Sequence, residues 1–271
     1  EIQPARQAAA CMMQNGALDR TSIVSFHSVR RGSGKTTIVA NLAALLASQG
    51  RRAVVIEADF HSPSLQIFVK LPDWKISHSL NDYVLGQCSI DQAIYDVTPR
   101  SLENTPGKLY LAPASLSHPE AYEKLRAEYT FDRLQDGLNQ IMQTLQPDAI
   151  FFDNMAGLHE EALLSVASSS SLVLIMQVDP SYFQDTAVAI EIAQKLKVPE
   201  VFLVMNNTPA SIDLQKAREQ MEQIYQREVL AILPQSIDIA TLASGGLLVV
   251  DKPQAPILNQ LRKILTHLAP S

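Results

Sequence analysis

The stretch SVRRGSGKTT, at residues 28–37, decides which kind of fold the chain adopts. Its second half matches the end of the phosphate-binding loop pattern G-x-x-x-x-G-K-[ST], with Gly34, Lys35 and Thr36 in the last three positions. Val29 stands where that pattern begins with glycine. The loop therefore carries the phosphate-contacting half of the pattern without its first glycine.

The residues on either side of the loop favour a working phosphate site. Residues 22–27 (SIVSFH) predict a strand, and residues 35–49 carry apolar side chains at helical spacing, with Gly50 placed to cap that helix. A glycine-containing turn between a strand and a helix presents backbone N–H groups to an anion. Lys35 is placed to reach the outer phosphates, and the hydroxyl of Thr36 to ligate Mg²⁺.

The rest of the chain alternates strands with helices. Predicted strands lie at residues 52–57, 109–112, 148–153, 172–178, 201–206 and 229–233, and predicted helices at 131–145, 185–197, 211–226, 237–243 and 257–268. Uninterrupted apolar strands are typical of parallel sheets buried on both faces. We therefore predict one α/β domain over residues 21–271, with a mostly parallel central sheet and helices on both faces. Residues 1–20 are predicted to be a tail or linker, with a partner-binding helix as the alternative.

Composition narrows the class of protein. The 271 residues carry a net charge of −6, which argues against a surface built mainly to hold nucleic acid. Cys11 and Cys88 are isolated from each other, as expected for a reducing compartment. No apolar run approaches the length that spans a bilayer, and the N-terminal residues lack the layout of a signal peptide. We expect a cytoplasmic protein.

Two aspartates follow predicted strands and should lie at the same edge of the sheet as the loop. Asp153 ends the apolar strand AIFFD, where a Walker-B aspartate would hold the metal's water. Asp59 comes just after the second strand, in VVIEADFHSPSL, and could orient an attacking water or complete a Mg²⁺ shell. The alternative for each is an aspartate that only caps a loop.

The order of these segments resembles the MinD/ParA group of P-loop ATPases, which carry a deviant Walker A motif, K-G-G-x-G-K-[ST]. The resemblance runs from about Ser22 to the last helix. Residues 22–59 resemble the family's strand–loop–helix–strand opening, and PDAIFFDNMAGL (147–158) resembles its Walker-B segment. VFLVMNN (201–207) and LAILPQS (230–236) resemble the later strands that end beside the base.

The resemblance implies an ATPase, slow and stimulated by a protein partner, that binds ATP/ADP with Mg²⁺ and closes into a homodimer around two nucleotides. Members of the family position or partition cellular cargo. By matching positions, Lys35 would bind phosphate, Thr36 would bind magnesium, Asp59 would position the hydrolytic water and contact the metal, and Asp153 would support the metal. Asn206 and Pro234 would contact adenine. The remaining nucleotide-binding positions are Arg31, Gly32, Ser33, Gly34 and Thr37.

The departures from the family pattern concern the start of the loop. Arg30 stands at the signature lysine that crosses to the partner's phosphates, and Arg31 at the next glycine. Arginine keeps the charge, but its planar fork differs from an ammonium. Val29 adds a Cβ that disfavours positive φ, and Glu57 replaces the usual first aspartate of D-x-D. We hypothesise that Arg30 or Arg31 acts in trans, with a catalytic part for Arg30; the alternative is that both are solvated or bind phosphate only in cis.

Other functions stay open at this stage. A nucleotide-gated scaffold with little hydrolysis would suit the altered loop. A bacterial tyrosine autokinase has a similar second-strand segment, but His61 stands where arginine would be and the C-terminal residues hold no tyrosine cluster. Non-specific DNA binding is compatible with the chain but is not indicated. The apolar stripe of residues 257–268 is more typical of a core-facing helix than of a membrane anchor.

Overall fold

The computed structural model describes residues 21–116 and 119–269. The predicted tail or linker at residues 1–20 lies outside the described residues. Within them, one sheet organises the chain, with strand order β3-β4-β2-β5-β1-β6-β7-β8. The strands are β1 Ser22–His27, β2 Arg52–Ala58, β3 Tyr95–Asp96, β4 Lys108–Ala112, β5 Ala149–Asn154, β6 Ser171–Met176, β7 Glu200–Thr208 and β8 Val229–Pro234.

The sheet is parallel except at one edge, where the two-residue β3 pairs antiparallel with β4. The central strand β1 lies between β5 and β6 and is parallel to both. Every residue of β5 and β6 is buried, as their apolar sequences predict for strands covered on both faces. The predicted α/β class with a mostly parallel sheet is therefore confirmed.

Helices cover both faces of the sheet. They are α1 Lys35–Ser48, α2 Leu65–Phe68, α3 Leu80–Val84, α4 Pro119–Glu128, α5 Phe131–Leu145, α6 Glu160–Ala167, α7 Phe183–Lys195, α8 Leu214–Tyr225, α9 Ile237–Leu242, α10 Leu248–Asp251 and α11 Leu258–Leu268. Helices α1 and α11 contribute to one hydrophobic cluster, α5 to a second, and α7 and α8 to a third.

Helix α1 is buried more completely than its apolar stripe predicted. All residues from Ile38 to Ala47 are buried, because α10 and α11 cover the side of the helix that turns away from the sheet. Asn41 is buried among them and accepts a hydrogen bond from the Leu248 backbone N–H at 2.6 Å. The helix that follows the loop is thus held on every side, which fixes the position of its N-terminus.

The apolar stripe of α11 packs into the core. Leu261, Ile264, Leu265 and Leu268 are all buried there. Across the described residues, no helix is both long enough and apolar enough to cross a membrane.

Short elements were not predicted. The strand β3 and the four-residue α2 are shorter than a sequence period needs to be recognised. Helix α8 begins at Leu214 instead of Ser211, because the Asp213 side chain accepts from the backbone N–H groups of Gln215 and Lys216 and caps it there.

Candidate functional site

The loop after β1 has the backbone conformation of a phosphate cradle. Gly32 and Gly34 have φ angles of 76° and 86°, in the left-handed region that favours glycine. Val29 has no positive φ, so the expected conflict between its Cβ and the start of the loop does not arise. Its side chain is partly buried against the cluster around β6 and β7.

A side chain at residue 34 would also displace a neighbour. A Cβ added there would lie 2.2 Å from Nδ2 of Asn206. That nitrogen donates a 2.8 Å hydrogen bond to the carbonyl oxygen of Ser33, which ties the end of β7 to the loop. Asn206 therefore lies beside the loop. Its contact with adenine, which the resemblance implied, stays a prediction.

Neighbouring loops hold the rest of the turn. Gln177, just after β6, donates through Nε2 to the carbonyl of Gly32 at 3.0 Å. The backbone N–H of Gly157 donates to the carbonyl of Ser28 at 2.9 Å. Sequence reasoning missed Gln177, although its position directly after a buried strand was a usable signal.

The N-terminus of α1 points its free amides at the loop. The first helical hydrogen bond runs from the N–H of Ile38 to the carbonyl of Gly34, so the amides of residues 35–37 lie outside the helical ladder. Gly34 provides no side-chain cap, and the first turn of α1 contains no acidic residue. The positive end of the helix dipole is thus available to an anion.

A cavity of about 230 Å³ opens in front of this helix N-terminus. Its lining residues are Ser28, Arg31, Gly32, Ser33, Gly34, Lys35, Thr36, Thr37, Asp59, Ser62 and Ala156. Most of the predicted loop positions, the two threonines and Asp59 are therefore brought together around one space. Arg30, Asp153, Asn206 and Pro234 are not among the lining residues.

Lys35 lines the cavity, but its ammonium group forms an ion pair with a carboxylate of β5. Nζ donates to Oδ1 of Asp153, and the two side chains are only 6% and 1% exposed. Asp153 lies in the predicted strand β5, which the structure pairs with β1. In this structure the predicted metal-supporting aspartate is the ion-pair partner of the predicted phosphate-binding lysine.

Asp59 organises the segment after β2. Its Oδ1 accepts hydrogen bonds from the backbone N–H groups of His61 and Ser62, at 3.2 and 3.0 Å. Arg31 donates to the hydroxyl of Ser62 at 3.0 Å and so joins the loop to this segment. Asp59 is thus both a capping residue for its own turn and a carboxylate facing the cavity.

Glu57 has a role that sequence reasoning missed. Its carboxylate accepts from the backbone N–H groups of Ser64 and Leu65 through Oε1, and from Ala114 through Oε2, at 2.6, 2.8 and 3.0 Å. The pKa of Glu57 is raised to about 7, because burial and the charge of Asp153 outweigh the lowering effect of the hydrogen bonds from the Leu65 and Ser64 N–H groups. The sequence showed only that glutamate replaces aspartate here.

Arg30 and His27 lie near the loop in contrasting environments. Arg30 is half exposed and donates through Nε to the carbonyl of Ser181 at 3.0 Å and through Nη2 to Asp185 at 3.2 Å. Within one chain it is therefore held by the start of α7. His27 ends β1 and is buried. Its pKa is lowered to about 3, chiefly by burial and in addition by the charges of Lys35 and His159.

Pro234 is exposed and ends β8, opposite Thr208 of β7. It lies at the carboxyl end of the sheet, where ligands of parallel sheets bind. Asn206 and Pro234 thus lie near the ends of adjacent strands, and neither lines the cavity.

The residues present suit a magnesium-bound phosphate. Thr36 and Asp59 supply a hydroxyl and a carboxylate at the cavity, and Asp153 lies behind Lys35. Within residues 21–116 and 119–269, no group of three or more His, Cys, Asp or Glu residues could hold a metal by itself. Mg²⁺ commonly takes one or two carboxylates together with phosphate oxygens and water, so this donor set fits a metal that arrives with phosphate.

A parallel sheet with a glycine loop, a lysine and a free helix N-terminus at its carboxyl edge defines a P-loop nucleotide-binding protein. Comparison with known proteins narrows this class. Residues 24–249 match the CobQ/CobB/MinD/ParA nucleotide binding domain, and the chain belongs to this family. The resemblance seen in the sequence is thereby confirmed.

Individual relatives agree with the family. The chain is 25% identical to an uncharacterised ATP-binding protein of Methanocaldococcus jannaschii, over 90% of this chain and 86% of that one. It is 26% identical to the septum site-determining protein MinD of Synechocystis, over 86% and 84% of the two chains. The solved MinD of Pyrococcus horikoshii, complexed with Mg-ADP, has a TM-score of 0.74 at 21% identity, covering 92% of this chain and 96% of its own.

Proposed function

We propose that this protein is a magnesium-dependent ATPase that works as a switch of the MinD/ParA kind. It binds ATP, closes into a homodimer, hydrolyses the nucleotide slowly, and through this cycle positions or partitions a cargo with the help of a protein partner. The observation that carries the proposal is the single cavity that joins the free N-terminus of α1 with Lys35, Thr36 and Asp59. The isolated cysteines support placing this cycle in the cytoplasm.

Each residue of the cavity has a role in nucleotide binding that follows from its chemistry. The amides of residues 32–37 hold the phosphates, Lys35 and Arg31 neutralise their charge, and Thr36 and Asp59 orient the metal. Bound Mg²⁺ supplies electrostatic stabilisation of the developing phosphate charge. Asp59 also positions the attacking water.

The base contacts lie further along the same edge. We place adenine beside Asn206 and Pro234, at the ends of β7 and β8. The Asn206 amide already donates to the loop carbonyl of Ser33, so its remaining donor and its oxygen are available to a base. This arrangement supports a site in which base and phosphates are held by one connected hydrogen-bond network.

Dimerisation would change the environment of Arg30. In a single chain Arg30 is engaged by Ser181 and Asp185, so acting in trans requires it to leave them. Breaking the ion pair between Arg30 and Asp185 costs little free energy, because both side chains are about half exposed and exposed ion pairs contribute about 0–1 kcal/mol. Arg31, which already lines the cavity, is the better candidate for phosphate binding in cis.

A nucleotide-gated scaffold with little hydrolysis is the second candidate. The observation in its favour is that one carboxylate oxygen of Asp59 accepts hydrogen bonds from the amides of its own turn, so that oxygen is already engaged and not free to position a water. Measuring phosphate release in wild type and in Asp59→Ala, with bound nucleotide quantified in both, separates the two functions. The ATPase predicts release that vanishes in Asp59→Ala while nucleotide stays bound. Absence of release from wild type under all partner conditions, with nucleotide bound, would establish the scaffold.

A further inference from the structure

Arg31 joins the phosphate loop to the segment that carries Asp59. Its Nη1 atom donates a 3.0 Å hydrogen bond to the hydroxyl of Ser62. The backbone N–H of Ser62 donates in turn to Oδ1 of Asp59 at 3.0 Å. All three residues line the same cavity. Ser62 is therefore bound by the loop through its side chain and by the Asp59 carboxylate through its backbone.

The segment at residues 59–65 is also held by two buried contacts. Phe60 is 2% exposed, and its ring packs edge-on against Tyr129 with the ring centroids 5.4 Å apart. The buried carboxylate of Glu57 accepts hydrogen bonds from two backbone N–H groups at the end of the segment. None of Phe60, Tyr129 and Glu57 lines the cavity. We expect these two contacts to persist whatever the cavity holds.

The contact between Arg31 and Ser62 differs from the buried ones. Both residues are exposed, and both line the cavity. The acceptor is a neutral hydroxyl, whereas a phosphate oxygen would give the guanidinium a charge-assisted hydrogen bond with the option of two parallel N–H donors. A phosphate within reach of Arg31 should therefore displace the hydroxyl.

The order of the strands decides which phosphate comes within that reach. Strand β1, which leads into the loop, lies between β2 on one side and β7 and β8 on the other. The base is proposed to bind at the ends of β7 and β8, whereas Asp59 and Ser62 follow the end of β2. A nucleotide bound this way runs across the loop toward β2. Its outermost phosphate lies on the side of Arg31 and Ser62, and a diphosphate is one group shorter at that end.

We propose that Arg31 distinguishes the triphosphate from the diphosphate by exchanging the hydroxyl of Ser62 for the outermost phosphate. With the diphosphate bound, Arg31 stays on Ser62 and the loop remains joined to the segment of Asp59. With the triphosphate bound, that link is broken while Ser62 keeps its backbone hydrogen bond to Asp59. This inference rests on the proposed nucleotide site and adds the residue that sets its preference between the two nucleotides.

The test compares Mg-ADP with the magnesium complex of a non-hydrolysable ATP analogue. Their affinities for the full chain are measured by calorimetry, at concentrations where sedimentation shows a monomer, so that dimer closure does not contribute. Arg31→Ala should weaken binding of the analogue by about ten- to a hundredfold, the factor expected for losing hydrogen bonds to a charged group. Its affinity for ADP should stay within about threefold of wild type. An equal loss for both nucleotides would overturn the proposal.

Ser62→Ala should have the opposite effect. It removes the hydroxyl that competes with the phosphate and keeps the backbone N–H that Asp59 accepts from. Binding of the analogue should become about two- to fivefold tighter, with ADP binding unchanged. In the double variant Arg31→Ala/Ser62→Ala the serine substitution should add nothing, because its partner is already absent. Analogue binding that Ser62→Ala leaves unchanged, or strict additivity in the double variant, would refute the exchange.

Lys195→Ala is the matched control for the loss of one positive charge. Lys195 is an exposed cation that pairs with Glu191 in α7 and does not line the cavity. Its substitution should leave both affinities unchanged, and a loss for the analogue equal to that in Arg31→Ala would show that net charge is responsible. If wild type binds neither nucleotide, the proposed site itself fails. If wild type binds both and Arg31→Ala weakens them equally, only the role of Arg31 fails.

Discussion

Replacing Gly34 by alanine tests whether the loop is held by backbone conformation and by Asn206 together. The substitution places a Cβ on a residue with φ of 86°, a conformation that costs an L-residue about 1–2 kcal/mol. The same Cβ would lie 2.2 Å from Nδ2 of Asn206, so the amide must move. Its hydrogen bond to Ser33 is then lost, at about 0.5–1.5 kcal/mol.

The sum predicts that Gly34→Ala destabilises the nucleotide-free protein by about 1.5–3.5 kcal/mol. Gly32→Ala is the matched control, because Gly32 also has a positive φ of 76° but a Cβ there meets nothing within 4 Å. It should cost only the conformational part, about 1–2 kcal/mol. Gly34→Ala should also weaken Mg-ADP binding more than Gly32→Ala, because the displaced amide lies beside the loop.

Urea unfolding of both variants and of the double variant Gly34→Ala/Asn206→Ala measures these differences. Removing the Asn206 side chain takes away the clash, so the double variant should be no less stable than Gly34→Ala alone, and the two substitutions should be non-additive. Equal loss in the two glycine variants, or strict additivity in the double variant, would show that the contact with Asn206 does not restrict residue 34.

Two further predictions concern charges around the site. Burial raises the pKa of Glu57 to about 7 from an ordinary value of 4.5. The folded protein therefore binds this proton more tightly than the unfolded chain does. The free energy of unfolding should fall as the pH rises from about 4.5 to 7, because the stabilisation that protonation provides is lost over that range. In Glu57→Gln the free energy of unfolding, measured by urea titration across that range, should lose this falling component, and an unchanged slope would contradict it. Arg30→Ala should change stability by less than about 1 kcal/mol, since its pair with Asp185 is half exposed. The variant should nevertheless weaken ATP-dependent dimerisation in sedimentation experiments, with monomer nucleotide affinity nearly intact; dimerisation equal to wild type would remove the role in trans.

Local pattern was sufficient for most of the fold. The strand at residues 22–27 has the bounds that its composition predicts, and the helix at 131–145 begins and ends as its periodicity indicates. Both signals depend on residues a few positions apart, which the sequence displays directly. Two-residue β3 and four-residue α2 could not be found this way, since neither spans enough residues to show a period.

The sequence also located the loop and assigned the chain to its family, because Gly34, Lys35 and Thr36 lie at fixed spacing between a strand and a helix. Which charges meet was decided only by the tertiary structure. Lys35 and Asp153 are 118 residues apart, and Arg30 and Asp185 are 155 apart. Their contacts depend on β5 lying next to β1 and on where α7 begins, and no local pattern encodes those distances. Propensity and periodicity act over one or two turns of chain, whereas the pairing of buried charges follows from the order of strands in the sheet.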